Sequence, residues 1–422
     1  MLSLRLQRNE IITTVCAAAA AYFILAGYEL IRGAANVLYK TAYGAENLPL
    51  VMACVPIGVV IGLSIYARLL SRFGPRRTFM MTGLGSGVLI YLSVWFAQQG
   101  YDIATAILFI VREFYIVLLL EQLWSYVNSC LRTESAKKLN GGIAFIGGLG
   151  ALSGDLLVSQ IVGDFGTHAM IMIGAVFVIP AVLIIHLAYQ RQGEPVMTDH
   201  QADDRTHLAL GLFRESKVLR YLFSIVVLTQ IVSTVLSLNF EYYASATYVG
   251  DMDGETAFQS QFWAGVNLAG LILQGIVAPL LLSWASLRWI HLAMPLIHVV
   301  SIAYAIYSPS LFSIALAFFL FKTIDYSIFR VAKEILYIPL TFDGRFRAKQ
   351  VIDVFGYRTS KGMSSVMIVI CQRLGVIVSN YYSIVAMIAV GAWLWLVLRL
   401  IRSDQNVIEP ITTVENSKLI SK

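Results

Sequence analysis

The polar stretch Gln190–Val218, QRQGEPVMTDHQADDRTHLALGLFRESKV, sits near the middle of a 422-residue chain that is otherwise mostly apolar. On its N-terminal side, hydropathy gives six candidate membrane spans, at about 11–31, 48–70, 78–98, 103–130, 141–163 and 169–189. On its C-terminal side it gives six more, at about 219–245, 258–285, 289–307, 311–340, 351–375 and 379–401. The expected fold is an all-α membrane protein of twelve transmembrane helices in two halves. These are an N-terminal half at 1–189 and a C-terminal half at 219–401, joined by a linker at 190–218 and followed by a tail at 402–422. Within the linker, the Leu208–Phe213 patch is expected to form a short surface helix.

Composition agrees with this organisation. Hydrophobic residues make up 58% of the chain and charged residues 13%, with a mean hydropathy of +0.73, well outside the range of soluble domains. The net charge of +6 comes from Lys and Arg clustered in short loops, which argues against nucleic acid as a partner and for topogenic signals. Arg72, Arg76 and Arg77, then Arg132, Lys137 and Lys138, Arg288, and Arg345, Arg347 and Lys349 mark one side. Asp102, Asp164, Asp251, Asp253 and Glu255 mark the other, so both termini are expected in the cytoplasm. Arg5 and Arg8 precede an apolar run of about 20 residues without a convincing cleavage site, so a retained first helix in a bacterial inner membrane is expected. Cys16, Cys54, Cys130 and Cys371 have no metal-ligand spacing and read as buried thiols.

The charges inside the spans recur. Glu29 returns as Glu241, Arg76 as Arg288, Glu113 as Asp325, Ala136-Lys137 as Ala348-Lys349 and Gly150 as Gly362, each 212 positions later. A twofold repeat with ionisable groups at matching depths is what a secondary transporter needs, because its substrate is expected near the midplane between related halves. Gly147, Gly148 and Gly150, with Gly356 and Gly362, permit close helix approach or bending.

Six plus six spans around a cytoplasmic loop is the plan of the major facilitator fold. The turn Ala67-Arg68-Leu69-Leu70-Ser71-Arg72-Phe73-Gly74-Pro75-Arg76-Arg77 resembles that superfamily's basic G-x-x-x-D-R-x-G-R-R loop, with Ser71 in place of the Asp. Arg72, Arg76, Arg77 and Arg288 are therefore candidate cytoplasmic gate residues, whose cations bond helix ends in one access state. A purely topogenic role is the other reading of the same turn.

The segment Tyr326-Ser327-Ile328-Phe329-Arg330-Val331-Ala332-Lys333-Glu334-Ile335-Leu336-Tyr337-Ile338-Pro339-Leu340 leads into Arg347-Ala348-Lys349-Gln350-Val351-Ile352-Asp353-Val354 and Arg358-Thr359-Ser360-Lys361-Gly362. It resembles the nucleotide transporter family, the ATP/ADP translocases of intracellular bacteria and plastids. There K-E-x-x-Y-I-P-L precedes K-x-K-A-x-I-D-V and R-x-x-K-x-G-x-S. Thr41-Ala42 with Gly44-Ala45-Glu46-Asn47-Leu48-Pro49 is similar to its T-A-x-G-A-E-x-I-P, and Arg32 matches the Arg of its L-R-D-T-K-D. The chain departs from the pattern at Gly33, Ala35 and Asn36, and at Asp325 and Arg330, which stand where the family has Lys and Asp. The resemblance implies a divergent major facilitator carrier that exchanges ATP and ADP or takes up nucleotides.

The charged residues carry the same expectation independently. A lone charge at a helix centre costs on the order of 2.5–3.5 kcal/mol on insertion scales, so such residues face a cavity or a partner. Arg32, Arg112, Lys333, Arg358 and Lys361 are the candidate contacts for an anionic substrate, Arg by bidentate bonding and Lys as a point charge. Glu29, Glu113, Glu121, Glu241, Asp325, Arg330, Glu334 and Asp353 are candidates for coupling or gating. A carboxylate in the bundle either carries a proton or serves as a counter-ion. Local pairing is the competing reading for Glu29 with Arg32 at i,i+3 and for Arg330 with Glu334 at i,i+4. Asp155 reads equally as a helix-packing polar residue. The aromatic groups Trp124-Ser125-Tyr126 and Phe240-Glu241-Tyr242-Tyr243 suit base stacking, a gate or, more commonly, interface belts and core packing.

There is no G-x-x-x-x-G-K-[ST] loop, no H-E-x-x-H and no ligand cluster among the six histidines, so neither an enzyme nor a metal or other cofactor is expected. The expected protein is a monomeric alternating-access carrier in a lipid bilayer. It moves a small anion, foremost a nucleotide, by exchange or with protons. A proton-coupled carrier of another organic anion or drug-like solute is the alternative, and a non-transporting sensor on the same fold has the least support.

Overall fold

The structure, a computed structural model, describes residues 8–193, 216–337, 352, 356 and 359–403. The backbone amides of a chain in lipid have no water to bond, so helices that satisfy their own hydrogen bonds are the available solution. The first half contains α1 (Arg8–Tyr43), α2 (Leu48–Gln98), α3 (Asp102–Cys130), α4 (Thr133–Phe165), α5 (Thr167–Val176) and α6 (Val178–Gln192). The second contains α7 (Lys217–Thr247), α8 (Met252–Ile272), α9 (Ala278–Trp284), α10 (Leu287–Tyr307), α11 (Leu311–Ile324), α12 (Arg330–Ile335), α13 (Ser360–Arg373) and α14 (Tyr382–Ser403). Among the described residues, ten helical segments are long and apolar enough to cross a membrane. One of them, α2, is two spans fused through a kink at Gly74, and α13 supplies the described part of the eleventh expected span.

The spans differ from expectation mainly at their ends and at two interruptions. The eighth begins at Met252, six residues before its expected start, so Asp253 and Glu255 lie in the first turn of α8 and not in a loop. Single π-turns, Leu273–Val277 between α8 and α9 and Asp325–Phe329 between α11 and α12, interrupt the eighth and tenth spans. Such turns insert a residue into the helical repeat and recur at functional sites. The linker is helical at both edges, through Gln192 and from Lys217. Leu208–Phe213, the basic residues at 345–349, Asp353, Arg358 and the tail beyond 403 lie outside the described residues.

The chain forms two compact units. One comprises Met1–Asp203 with Ser245–Leu268, the other Asp204–Ala244 with Ala269–Lys422. In lipid, helix association is driven by close packing, because apolar side chains gain little by leaving one hydrocarbon surface for another. In the first unit Ile24, Leu30, Ile31, Tyr115 and Tyr126 are fully enclosed, and glycines on α4 bring it against α1. A Cβ on Gly154 would stand 2.5 Å from the Ala26 carbonyl oxygen, and one on Gly147 would stand 2.9 Å from Leu25 Cδ1. In the second unit the His298 ring lies 5.1 Å from Phe321 and 5.6 Å from Trp393, and Trp393 in turn meets Phe329 at 5.6 Å.

The basic turn after the second span forms as its sequence suggests. Gly74 adopts φ 74° and ψ 170° inside α2, a left-handed region that a side chain would strain. Pro75 then restarts the helix with its fixed φ.

Candidate functional site

In the first unit the charges converge on α1. Glu29 and Arg32 are one turn apart and pair as their spacing suggests, Oε2 to Nη2 at 2.5 Å. The close α1–α4 contact then brings Asp155, which directly follows Gly154, to 3.9 Å from the same guanidinium nitrogen. Asn267 on α8 donates its Nδ2 to Asp155 at 2.8 Å and to Glu29 at 3.5 Å. The Arg32 guanidinium carbon also lies over Trp263, 3.7 Å from the ring centroid, and 5.5 Å from that of Tyr28. Two buried carboxylates thus face one cation, an arrangement built for charge compensation inside a bilayer. Asp155, read from sequence as equally a packing residue, is a full member of it.

Arg112 on α3 is only 2% exposed and is held within the same unit. Its Nη1 donates to the Arg32 carbonyl at 2.6 Å and to Asn36 Oδ1 at 2.7 Å, and its Nη2 donates to Glu113 Oε1 at 2.6 Å. Its guanidinium lies 4.3 Å from the Phe109 ring centroid. Arg112 thus ties α3 to α1, with Glu113 beside it on α3 as its counter-ion. Gly33 packs on Gln259 and Ser260, and Ala35 is wholly buried, so the surroundings are closed around small side chains at two departures from the nucleotide-transporter pattern.

Further along α1, Lys40 forms an ion pair with Glu255 on α8, both side chains nearly sealed from solvent. Asp253 accepts from both the backbone N–H and the hydroxyl of Thr167, each at 2.7 Å, and so occupies an amide that the start of α5 leaves open. Thr167 also meets Thr256 at 2.9 Å. Acids read from sequence as loop markers are therefore interior partners. Breaking one side of a buried pair costs about 3–5 kcal/mol, whereas replacing both sides with apolar groups is near neutral. Lys40→Met is expected to lower the melting temperature of the purified protein clearly, and Lys40→Met/Glu255→Leu to restore most of it. A double variant no more stable than the single would argue against the pair.

On the side marked by basic loops, Glu10 of α1 accepts from Arg132 Nε at 2.8 Å, Arg132 Nη2 at 3.0 Å and Ser135 Oγ at 2.7 Å. Arg76 lies against the His186 imidazole of α6 at 3.4 Å. Arg72, Arg77 and Arg288 are exposed, as is Glu121.

The second unit holds the remaining candidates. Glu241 on α7 is buried. Lys333 is 3% exposed, and its Nζ stands 4.0 Å from Glu334 Oε1. Arg330 is exposed, and Glu334 meets Lys333 instead of pairing with Arg330 as their i,i+4 spacing suggests. Asp325 opens the π-turn half-buried, within the fields of Lys322, Lys333 and Arg330. Lys361, near the start of α13, is exposed.

Sequence reasoning missed Lys322, Asn267, Trp263 and the Lys40–Glu255 pair. Lys322 carried a signal, being the one charge in the apolar run Leu311–Ile324. Asn267 and Trp263 carried none, because nothing in their neighbourhood distinguishes them from packing residues.

The profile of the TLC ATP/ADP transporter family matches residues 264–403, about a third of the chain. The chain resembles the TLC ATP/ADP transporters. No match was found among the curated proteins. Among solved structures it is similar to the nucleoside transporter NupG, with a TM-score of 0.63 at 12% identity, covering 94% of this chain and 99% of that one. It is also similar to the POT family transporter PepTSo, with a TM-score of 0.62 at 13% identity over 94% and 99% of the two chains. The xylose transporter XylE from E. coli gives 0.57 at 16% identity over 92% and 95%. These likenesses show the fold, an all-helical, multi-pass, major facilitator-like bundle consistent with the twelve spans expected.

Proposed function

We infer that the protein is a secondary active transporter that works by alternating access and carries nucleotides, by ATP/ADP exchange or by proton-linked uptake. The observation that carries this reading is the family match over residues 264–403, which contains the Tyr326–Tyr337 stretch and Lys361. The buried charges Glu29, Arg112, Asp155, Glu241 and Lys333 support it, since only a partner or a passing ion repays such burial. In this proposal Arg32, Lys333 and Lys361 contact the substrate, together with Arg358. Arg112 positions Arg32 through its backbone. Glu29, Glu113, Glu121, Glu241, Asp325, Arg330, Glu334 and Asp353 serve coupling or gating, and Arg72, Arg76, Arg77 and Arg288 the cytoplasmic gate. The protein acts as a monomer in the bacterial inner membrane with both termini in the cytoplasm, and its halves are 1–189 and 219–401 around the linker.

A second reading, proton-coupled transport of another organic anion or drug-like solute, is favoured by two observations. Gly33 and Ala35 leave no charge at two positions of the family motif, and Glu29 with Asp155 gives two carboxylates against the single Arg32. Both readings are tested by uptake of labelled ATP into proteoliposomes loaded with ADP, phosphate or nothing, with and without a proton gradient. Exchange of ATP⁴⁻ for ADP³⁻ moves one net charge, worth about 2.3 kcal/mol per 100 mV, so it responds to membrane potential. The expected result is uptake that requires internal ADP or a proton gradient and falls at least tenfold in Lys333→Ala. No flux of any nucleotide would shift the search to other anions.

A further inference from the structure

We propose that Lys322 is an anion-binding residue of the transport pathway, holding a phosphoryl group of the substrate beside the ring of Tyr326. This rests on the reading of the protein as a nucleotide carrier and adds a contact to it.

Lys322 lies eleven residues beyond Leu311, the start of α11, or about 17 Å along the helix axis at 1.5 Å per residue. That depth is near the middle of a hydrocarbon core of about 30 Å, where an ammonium group faces protein or water and not lipid. The side chain is partly exposed. Its Nζ donates to Ser233 Oγ on α7 at 2.8 Å and lies 5.1 Å from the Tyr326 ring centroid and 5.7 Å from that of Phe318. A hydroxyl and two ring faces orient a cation without cancelling it.

The contrast with the other interior cations is what gives Lys322 its meaning. Arg32, Lys40, Arg112 and Lys333 each have a carboxylate within ion-pair distance. Among the described residues Lys322 has none. Asp325, one turn on, feels the field of Lys322 more than those of Lys333 and Arg330, but no ion pair joins it to Lys322 among the described residues. An ammonium group has three donors, and Ser233 takes one.

The local backbone favours access. The π-turn that starts at Asp325 follows Lys322 within three residues, and Tyr326 within it is 42% exposed. The ring whose face helps orient the ammonium therefore also presents apolar surface beside it, a pairing that suits a phosphate attached to a ring-bearing group.

The test uses the purified full-length protein, Lys322→Gln, Lys322→Arg and Ser233→Ala, with thermal stabilisation by ATP, pyrophosphate and adenosine as the readout, and ATP uptake alongside. Wild type is expected to respond to ATP and pyrophosphate. Lys322→Gln should lose about tenfold or more in apparent affinity for both, with its response to adenosine unchanged, as expected for loss of one charge-assisted contact. Lys322→Arg should keep most of the affinity, and in uptake the glutamine variant should raise KM with kcat within about twofold. Should Lys322→Gln not fold, Lys322→Met against Lys322→Arg makes the same comparison. Wild-type binding of pyrophosphate that the uncharged variants retain overturns the role of Lys322 alone. Failure of wild type to bind ATP or pyrophosphate overturns the nucleotide reading and this assignment with it.

Discussion

Gly154→Leu will prevent formation of a stable, transporting protein, while Gly163→Leu on the same helix will leave it nearly unchanged. A Cβ at Gly154 would meet the Ala26 carbonyl oxygen at 2.5 Å and the Ala26 Cα at 2.9 Å, both backbone atoms, whereas a Cβ at Gly163 meets nothing within 4 Å. Backbone cannot rotate aside as a side chain can, so α1 and α4 must separate. Overpacking costs about 1–3 kcal/mol for a few added methylenes and more where the neighbour cannot yield. The same separation would withdraw Asp155, the next residue, from Arg32. Thermal unfolding followed by size-exclusion chromatography reads the first effect, and transport the second. A Gly154→Leu protein that melts with wild type would mean that α1 and α4 do not approach as closely as described.

Arg32→Met will leave Glu29 and Asp155 buried close together without the cation that both face. Loss of one partner from a buried ionic group costs about 3–5 kcal/mol, and here two acids lose the same neighbour. A large drop in melting temperature and complete loss of transport are expected. Adding Glu29→Gln and Asp155→Asn should recover stability, since amides can bond Asn267 and each other without a charge to neutralise, but should not recover transport. Arg32→Lys keeps the charge and gives up the guanidinium contact over the Trp263 ring, so it should fold and transport weakly. Equal transport by Arg32→Lys and wild type would remove that contact from the argument, and full transport by the triple variant would remove Arg32 from the pathway.

These predictions depend on features that sequence reveals unequally. Glu29 with Arg32 was legible because i,i+3 residues share a helix face wherever the helix lies. The Gly74-Pro75 turn was legible for a similar reason, as a left-handed residue followed by a fixed φ is a property of those two side chains. The expected Arg330–Glu334 pair had the same kind of warrant, yet the arrangement around Arg330 differs. Both residues lie in the regular helix Arg330–Ile335, so their spacing allows the pair, but Glu334 lies toward Lys333, and spacing along one helix does not say which of two nearby cations an acid meets. Glu255 was misplaced because an acid beside a polar loop has the same composition whether it meets water or a buried Lys40.

From the amino-acid sequence alone came the apolar spans, the basic turns and the charges that must find partners. Each of these follows from transfer free energies and from spacing along one helix. Tertiary structure decided which partners those charges found. Lys40 meets Glu255 across 215 positions, Asn267 meets Asp155 across 112 and Lys322 meets Ser233 across 89. Such pairings depend on where helices cross and how closely they approach, which glycines such as Gly154 permit but do not specify.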